Sequence, residues 1–366
     1  MEKKIRILGT RGIPAQHGGF ETFAQYLALF LSQRGWHVTV YCQEDSAGKI
    51  REETWQGVRR VVIPVARQGA AGTILFDLKA TLHALREQGV SLTLGYNTAI
   101  FSLLFRLAGK KNLMNMDGIE WKREKWSYLE RQWLYFNEFS GSFLANHLIA
   151  DHPEIARHLN RYVAESKITT IPYGAEVVTE ADAALLTPWQ LTPKRYAIVI
   201  ARPEPENSIL PIVRAFSQKR RGYQLAVLGN YTPETNPYHC EVVQSASDEV
   251  RFLGAIYDIK TVQALRYYAR LYLHGHTVGG TNPSLVEALG AGNAVVAHDN
   301  PFNRWVAGEE AHYFKDEPTC AQVFTQLLDD EQALAKMEAA SRHRHQTMFL
   351  WEKVLKEYEA VLLRYL

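Results

Sequence analysis

Two runs of short apolar segments, each alternating with helix-like stretches, constrain this chain more than any other feature. In the first run, residues 5–8, 37–42, 58–63, 92–94, 113–116, 148–150 and 168–171 read as buried strands. Between them, 20–34 places Phe23, Leu27, Phe30 and Leu31 on one helical face and stops at Gly35, and 73–87 reads as a helix ending before Gly89. Strand–helix–strand order implies parallel strands joined by crossover helices. Residues 174–194 hold Gly174, Pro188 and Pro193 and show no clear period, so they read as a linker. The rhythm restarts at 196–201 and continues through 225–228, 250–253, 271–274 and 294–297. A length of 366 residues also exceeds what one core usually serves. The expectation is an α/β chain of two Rossmann-like domains, 1–173 and 174–345. The remainder, 346–366, includes an amphipathic helix over 351–366 that crosses back to the first domain. Ligands in such sheets sit at the carboxyl ends of the strands, where two sheets facing across a cleft bring them together.

Composition removes several classes. The net charge of +2 is too small to mark a nucleic-acid binder. Cys42, Cys240 and Cys320 form no CxxC pair, so neither a disulfide framework nor a zinc ribbon is indicated. Met1-Glu2-Lys3-Lys4 leads into a strand rather than an apolar signal region, and no window of about 18 apolar residues occurs. The expected location is cytoplasmic, with any membrane contact peripheral.

The first strand ends in Gly9-Thr10-Arg11-Gly12-Ile13-Pro14, and Gly18-Gly19-Phe20-Glu21 then opens a helix. Glycines there let backbone approach a ligand, and amides at a helix start attract anions. The pattern is neither a dinucleotide fingerprint nor a P-loop, and Cys42-Gln43 stands where a dinucleotide binder carries an acid. A tight strand-to-helix turn accounts for it equally well.

The more specific stretch is His274-Gly275-His276-Thr277-Val278-Gly279-Gly280-Thr281-Asn282-Pro283-Ser284-Leu285-Val286-Glu287-Ala288. It follows an apolar strand and opens a helix. Asn282 suits the N-cap and Pro283 the first helical position. The amides of Ser284 and Leu285 are then expected to be free to face a diphosphate. Glu287, one turn in, is placed to accept hydrogen bonds from ribose hydroxyls. The plain alternative is a capped core helix behind a glycine turn, but one Glu on an apolar helix needs a partner.

These stretches resemble glycosyltransferase family 4, the retaining GT-B transferases. The likeness runs nearly end to end: GTRGIPAQHGGFETFA, NMDGIEWKREKW, ADHPEIARHL, IPYGAE, ARPEPENSI, RFLGAIYD, HGHTVGGTNPSLVEALGAGNAVVAHDNPFNR and WEKVLKEYE. Within the family the chain looks like a bacterial branch that includes rhamnosyltransferases of capsule and cell-wall polysaccharide assembly. The resemblance implies a donor site. Gly18 and Gly19 would lie near the donor phosphates, and Arg202 would clamp the diphosphate with its planar fork. The family's lysine partner is missing, with Glu206-Asn207 in its place. The 252–257 segment, ending in Tyr257, would hold the base. His276, Gly280, Thr281, Asn282, Ser284 and Leu285 would line the phosphates. Glu287 matches the second acid of the family's E-x7-E pattern; the first falls on Gly279 and is absent. That loss is compatible with a deoxysugar.

The resemblance also implies catalytic roles for Asp117, Asp151 and Tyr173. Asp117 ends a strand in Met-Asp-Gly with no helix start immediately after. Asp151 begins Asp-His-Pro-Glu, where Asp151 and Glu154 also make a capping pair. Tyr173 equally reads as a packed linker residue. The implied activity is retaining transfer of a sugar, rhamnose from dTDP-rhamnose, to a lipid-linked saccharide acceptor. No metal or resident cofactor is implied, because GT-B enzymes typically do not depend on a bound metal, and no pair of carboxylates is needed where the leaving diphosphate takes the acceptor's proton.

Gly109-Lys110-Lys111 and Trp121-Lys122-Arg123-Glu124-Lys125-Trp126, followed by Tyr128, Trp133, Tyr135 and Phe136, mix cations with aromatics. They suit either an anionic membrane carrying the acceptor or a solvated helix with aromatic core contacts. Lys219-Arg220-Arg221 reads as a solvated helix end. Two other functions stay open: a family 4 transferase using a UDP- or GDP-hexose, and a catalytically silent protein that binds a sugar nucleotide. A nicotinamide-dependent oxidoreductase is disfavoured by the missing fingerprint.

Overall fold

The computed structural model describes residues 2–16, 18–123 and 125–366. Met1, His17 of the first glycine motif and Glu124 of the tryptophan-flanked basic motif lie outside the described residues. The chain divides into two compact units: Met1–Tyr173 with Trp351–Leu366, and Gly174–Leu350.

Unit 1 begins with β1 (Lys4–Leu8), α1 (Gly19–Gln33), β2 (His37–Glu44), β3 (Arg51–Trp55), β4 (Val58–Pro64), α2 (Gly69–Ala84) and β5 (Val90–Leu94). It continues through α3 (Ser102–Leu107), β6 (Asn112–Asn115), α4 (Tyr128–Leu144), β7 (His147–Ala150), α5 (Pro153–Leu159) and β8 (Ile168–Thr170). The sheet order is β3-β4-β2-β1-β5-β6-β7-β8. Strand β3 is antiparallel to β4, while the other pairings are parallel. Sequence reading passes over β3 because its first three residues, Arg51-Glu52-Glu53, are charged. Positive φ at Gln56 and Gly57 makes the two-residue hairpin turn, and ion pairs Arg59–Glu52 (2.7 Å) and Arg60–Glu53 (2.9 Å) cross it.

A buried arginine ties α2 to the sheet. Arg6, in β1, donates to the carbonyls of Ala84 (2.6 Å), Glu87 (2.7 Å) and Gly89. The last carbonyls of a helix have no partner within it. Here one guanidinium fork takes that role and fixes where α2 ends relative to the central strands.

Unit 2 contains β9 (Tyr196–Ile200), α6 (Ile209–Ser217), β10 (Gln224–Leu228), α7 (Pro237–Gln244), β11 (Val250–Gly254) and α8 (Ile259–Tyr267). Then come β12 (Leu271–His274), α9 (Pro283–Gly290), β13 (Val295–His298), α10 (Pro301–Ala307), β14 (His312–Phe314), α11 (Glu317–Leu327) and α12 (Glu331–Arg344). Its sheet order is β11-β10-β9-β12-β13-β14, with parallel pairings throughout. The aperiodic stretch 174–194 holds a 3-10 turn at Ala183–Trp189 with Leu186 buried, and Tyr268 donates to the Ala181 carbonyl (2.6 Å). It is therefore packed onto unit 2 rather than free as a linker. Arg221 is likewise not a solvated helix end. It turns inward and donates to the Phe216 (2.8 Å) and Ala215 (2.6 Å) carbonyls at the end of α6.

Helix α13 (Trp351–Leu363) completes the core of unit 1. Trp351 stacks on Tyr26 (centroids 4.5 Å, 12°), and Tyr358 packs on Phe23 at 4.6 Å. The Glu359 carboxylate accepts from Arg34 Nε (2.6 Å) and Trp36 Nε1 (3.0 Å).

Arg6→Met is expected to leave buried carbonyls at the end of α2 without their donor. The cost to unit 1 should be about 2–4 kcal/mol, measured as a lower urea midpoint in tryptophan fluorescence.

Candidate functional site

In each sheet the chain leaves the first strand in one direction, then returns to its other side. The reversal falls between β1 and β5 in unit 1 and between β9 and β12 in unit 2. Such switch points open a crevice at the strands' carboxyl ends. In unit 2 the flanking segments are Arg202 with Glu206-Asn207 after β9, and the 275–282 loop after β12. In unit 1 they are Gly9-Thr10-Arg11 after β1 and Gly95-Tyr96-Asn97-Thr98 after β5. Gly9 has φ +78°, and a Cβ there would stand 2.2 Å from the Leu94 carbonyl oxygen, so the two strand ends approach only because it is glycine.

In unit 2, Arg202 is exposed and its guanidinium has no partner among the described residues. Its carbonyl is held by Asn207 Nδ2 (2.8 Å) and the Glu204 amide (2.7 Å). Asn207 is buried, so it shapes the loop that carries Arg202. The Glu206 carbonyl accepts from the Thr277 amide (2.9 Å) and hydroxyl (3.0 Å), joining the two switch-point segments. Tyr257 is 86% exposed beyond β11.

Helix α9 starts at Pro283 with Asn282 as its cap. The amides of Ser284 and Leu285 are not free, however. The Ser284 amide donates to Asn282 Oδ1 (3.0 Å), and the Leu285 amide donates to the Asn282 carbonyl (3.1 Å). A good N-cap takes the very donors an anion would use. Leu285 is buried, as is Thr281. The Ser284 hydroxyl is also engaged, with Tyr272 Oη at 2.6 Å, Arg266 Nη2 at 3.0 Å and the Ile200 carbonyl at 3.4 Å. Gly280 and Asn282 remain partly exposed at the loop end.

Glu287 has the partner its position demanded. Arg266 Nη2, on α8, lies 2.6 Å from Glu287 Oε2. Oε1 has no partner among the described residues. The Arg266 side chain is 6% exposed and that of Glu287 40%, so the pair runs from interior to surface. Sequence reasoning missed Arg266. The one signal was a lone cation in the buried run Ala264-Leu265-Arg266.

His276 stacks on His274 with centroids 4.3 Å apart and planes 10° from parallel. Burial, then the charges of His276 and Arg266, hold His274 well below the usual imidazole range, so it is neutral. Neither His274 ring nitrogen has a hydrogen-bond partner among the described residues. An orphaned buried donor costs about 1–3 kcal/mol, the kind of strain kept at functional positions. At Gly279 nothing crowds a Cβ, but φ is +146°. This loop conformation thus disfavours an acid at the position where glycosyltransferase family 4 carries one.

Unit 1 gathers acids at the carboxyl ends of β6 and β7. Asp117 has φ +49°, unusual for a residue with a side chain, and its amide donates to Asn115 Oδ1 (2.9 Å). Asn115 Nδ2 reaches Tyr358 Oη of α13 at 2.7 Å. Burial first, then the charges of Glu120 and Asp151, raise the Asp117 carboxyl to about 7. Asp151 therefore stands near Asp117. It does not cap α5: the cap is His152, whose Nδ1 accepts from the Glu154 amide (3.0 Å). With Pro153 at the first helical position, the cap falls on the residue before it. Glu154 pairs instead with Arg157 (2.6 Å). Tyr173 packs edge-on against Trp351 at 4.9 Å. Gly18 caps α1, and Gly19 is its first residue.

A cavity of about 110 Å³ opens at the β1/β5 switch point, lined by Thr10, Glu21, Thr73, Asp77, Asn97 and Thr98 among others. Thr98 donates to Asp77 Oδ2 (2.8 Å), and burial raises the Asp77 carboxyl to about 7. Sequence reasoning missed Asp77, although an acid in an otherwise apolar helix carries the same signal as Glu287. A larger cavity, about 450 Å³, lies near Lys4, Trp36 and Glu87 at the amino ends of the strands, away from this chemistry. Among the described residues, no three His, Cys, Asp or Glu are grouped to hold a metal.

A family model described as a domain of unknown function (DUF1972) matches residues 2–176. No curated protein sequence matches the chain. Among solved structures, sucrose-phosphate synthase from Thermosynechococcus elongatus superimposes with TM-score 0.83 at 17% identity, covering 99% of each chain. Anabaena HepE in complex with UDP and glucose gives 0.77 at 14%, covering 99% of each. A UDP-forming α,α-trehalose-phosphate synthase from Burkholderia xenovorans, in complex with glucose-6-phosphate, gives 0.72 at 12%, covering 99% of this chain and 100% of that one. The chain has the GT-B fold.

The folded-state value of Asp117 is raised above its unfolded value of about 4. The stability tied to its proton is complete below about pH 4 and is lost as pH rises through about 7. Asp77 acts with the same sign. Asp117→Asn tolerates the left-handed backbone. It is expected to raise the melting temperature by a few degrees near pH 8 and to change it little near pH 4, read by scanning fluorimetry.

Proposed function

We propose that this chain is a retaining glycosyltransferase that moves a sugar from a nucleoside-diphosphate donor to a saccharide acceptor. The observation that carries the reading is the unit 2 switch point. There an unpartnered, exposed Arg202 and the glycine loop before α9 flank one crevice, with Glu287 held by Arg266 at its edge. Arg202 suits a diphosphate, since its fork is permanently charged. Glu287 Oε1 suits ribose hydroxyls. With the Ser284 and Leu285 amides taken, Arg202 carries more of the leaving-group charge than a family member with a free helix start requires.

In the reaction, an acceptor oxygen bonds to the anomeric carbon while the bond from that carbon to the diphosphate oxygen breaks. The acceptor proton passes to the departing diphosphate. The acids of unit 1 then orient the acceptor: Asp117 with Asp151 beside it, and Asp77 and Thr98 in the neighbouring cavity. No metal is needed in this scheme, because cationic side chains and the leaving group supply the charge balance.

The donor proposed is dTDP-rhamnose and the acceptor a lipid-linked saccharide of surface polysaccharide assembly. This rests on the motif resemblance and on the glycine at 279, where a grip on the donor-sugar hydroxyls is missing. A UDP-hexose is the second reading, favoured by the UDP and UDP-glucose bound to HepE.

A thermal-shift panel of dTDP-rhamnose, UDP-glucose, GDP-mannose and NAD decides among these, since a ligand of the native state raises its apparent stability. The expected result is a selective shift with dTDP-rhamnose. Arg202→Ala and Glu287→Ala should each weaken donor binding about tenfold, roughly 1.4 kcal/mol. A shift with UDP-glucose alone replaces the donor, and no shift with any sugar nucleotide removes the donor site. Nucleotide release in the presence of acceptor should be unchanged by EDTA; its loss would sink the metal-free scheme.

A further inference from the structure

The face of the unit 1 sheet that α2 covers changes character along its strands. Toward the carboxyl ends it is apolar: Leu8, Tyr41, Val61 and Ile63 pack with Phe76 and Ala80 of α2. Toward the amino ends the same alternation brings up hydrogen-bonding side chains instead. The register pairs Arg6 with Thr39, Thr39 with Arg59 and Arg59 with Thr54, which makes one polar row across β1, β2, β4 and β3. Lys4 and His37 are paired two residues nearer the amino ends. Helix α2 ends at Ala84, and the Arg86-Glu87-Gln88 segment after it walls the cavity of about 450 Å³ that lies over this row. That volume is in the range of small-molecule sites.

The charges of this cavity do not cancel. Lys4 (2.8 Å) and His37 (3.2 Å) both meet the Glu2 carboxylate, and Arg59 divides itself between Glu52 (2.7 Å) and Glu87 (3.1 Å). Arg6 spends its Nη groups on carbonyls, bonds to no carboxylate, and has no partner at Nε although the residue is 1% exposed. Arg86 is exposed, and its guanidinium has no hydrogen-bond or ion-pair partner among the described residues. Lys4, Arg6, Arg59 and Arg86 thus outnumber Glu2, Glu52 and Glu87, and His37 adds to the excess when protonated. Glu2 marks where an oxyanion belongs. Its carboxylate bridges an ammonium and an imidazole, yet it is 58% exposed, and pairs held so near the surface yield readily to a competing anion. Cations enter from β1, from β4 and from beyond α2, which suits a multiply charged oxyanion with oxygens on several sides. The Thr39 and Thr54 hydroxyls, without partners among the described residues, and the Gln88 amide suit hydroxyl groups. We infer that this cavity binds a phosphate monoester of a hydroxyl-rich small molecule. The site lies at the opposite end of β1 from the switch-point cavity, against the tail of the helix that carries Asp77. It needs no assumption about the donor or the acceptor.

Isothermal titration calorimetry of the full chain tests this with glucose-6-phosphate, inorganic phosphate and glucose as probes. Glucose-6-phosphate is expected to bind, inorganic phosphate to bind more weakly, and glucose not to bind. Lys4→Gln with Arg86→Ala should weaken glucose-6-phosphate about tenfold or more. Glu2→Gln, which removes the internal competitor, should tighten it. Arg202→Ala should leave it unchanged, because that arginine belongs to unit 2. Four results would overturn the inference: no binding of glucose-6-phosphate, binding no tighter than that of inorganic phosphate, binding that the paired variant retains, or binding that Arg202→Ala abolishes. An unaltered urea midpoint shows the paired variant folded. A nucleotide-sugar thermal shift that this variant keeps separates failure here from failure of the donor reading.

Discussion

Parallel strands can be joined only through crossovers, and a crossover that changes direction must leave a gap at the strands' carboxyl ends. Both units obey that constraint, and the rest follows from it. Arg202, the 275–282 loop, Asp77 and Thr98 stand where they do because β9 parts from β12 and β1 from β5 at those points. The acids after β6 and β7 occupy the same edge of the unit 1 sheet. Side chains set far apart in sequence thus reach one rim of each sheet without any contact that draws them there.

The alternation of strands and helices was legible because burial on both faces of a parallel sheet writes near-continuous apolar runs. The start of α9 was legible too, because Asn-Pro at a helix entry has one good reading. What the sequence concealed was competition. It shows that Ser284 and Leu285 carry donors, but not that Asn282 takes both first. It offers Asp151 as the cap before Pro153, but does not show that the His152 imidazole takes that place. Arg266 and Asp77 escaped because their importance comes from a partner tens of residues away. Strand β3 escaped because its partners are charges rather than apolar neighbours.

The two acid-bearing regions of unit 1 differ in how they are held. Asp77 rests on one hydroxyl, from a residue on the next strand-end loop. Asp117 rests on a relay that runs from Tyr358 through both ends of the Asn115 amide to its own backbone. A left-handed residue persists only where its surroundings over-determine it. The α13 side of the relay supplies that over-determination, so the geometry of the acid cluster depends on a helix that contributes no acid to it.

That dependence has a temporal side. Residues of unit 1 up to Tyr173 leave the ribosome first, and α13 follows only after all of Gly174–Leu350 has been made. At 5–20 residues per second the interval is roughly 10–35 s. Throughout it Phe23 and Tyr26 lack the rings that cover them, Trp36 lacks its carboxylate and Asn115 lacks its phenol. Unit 2, contiguous in the chain, has no such wait. The nascent protein therefore spends its synthesis with its later half able to close and its earlier half open along one apolar groove.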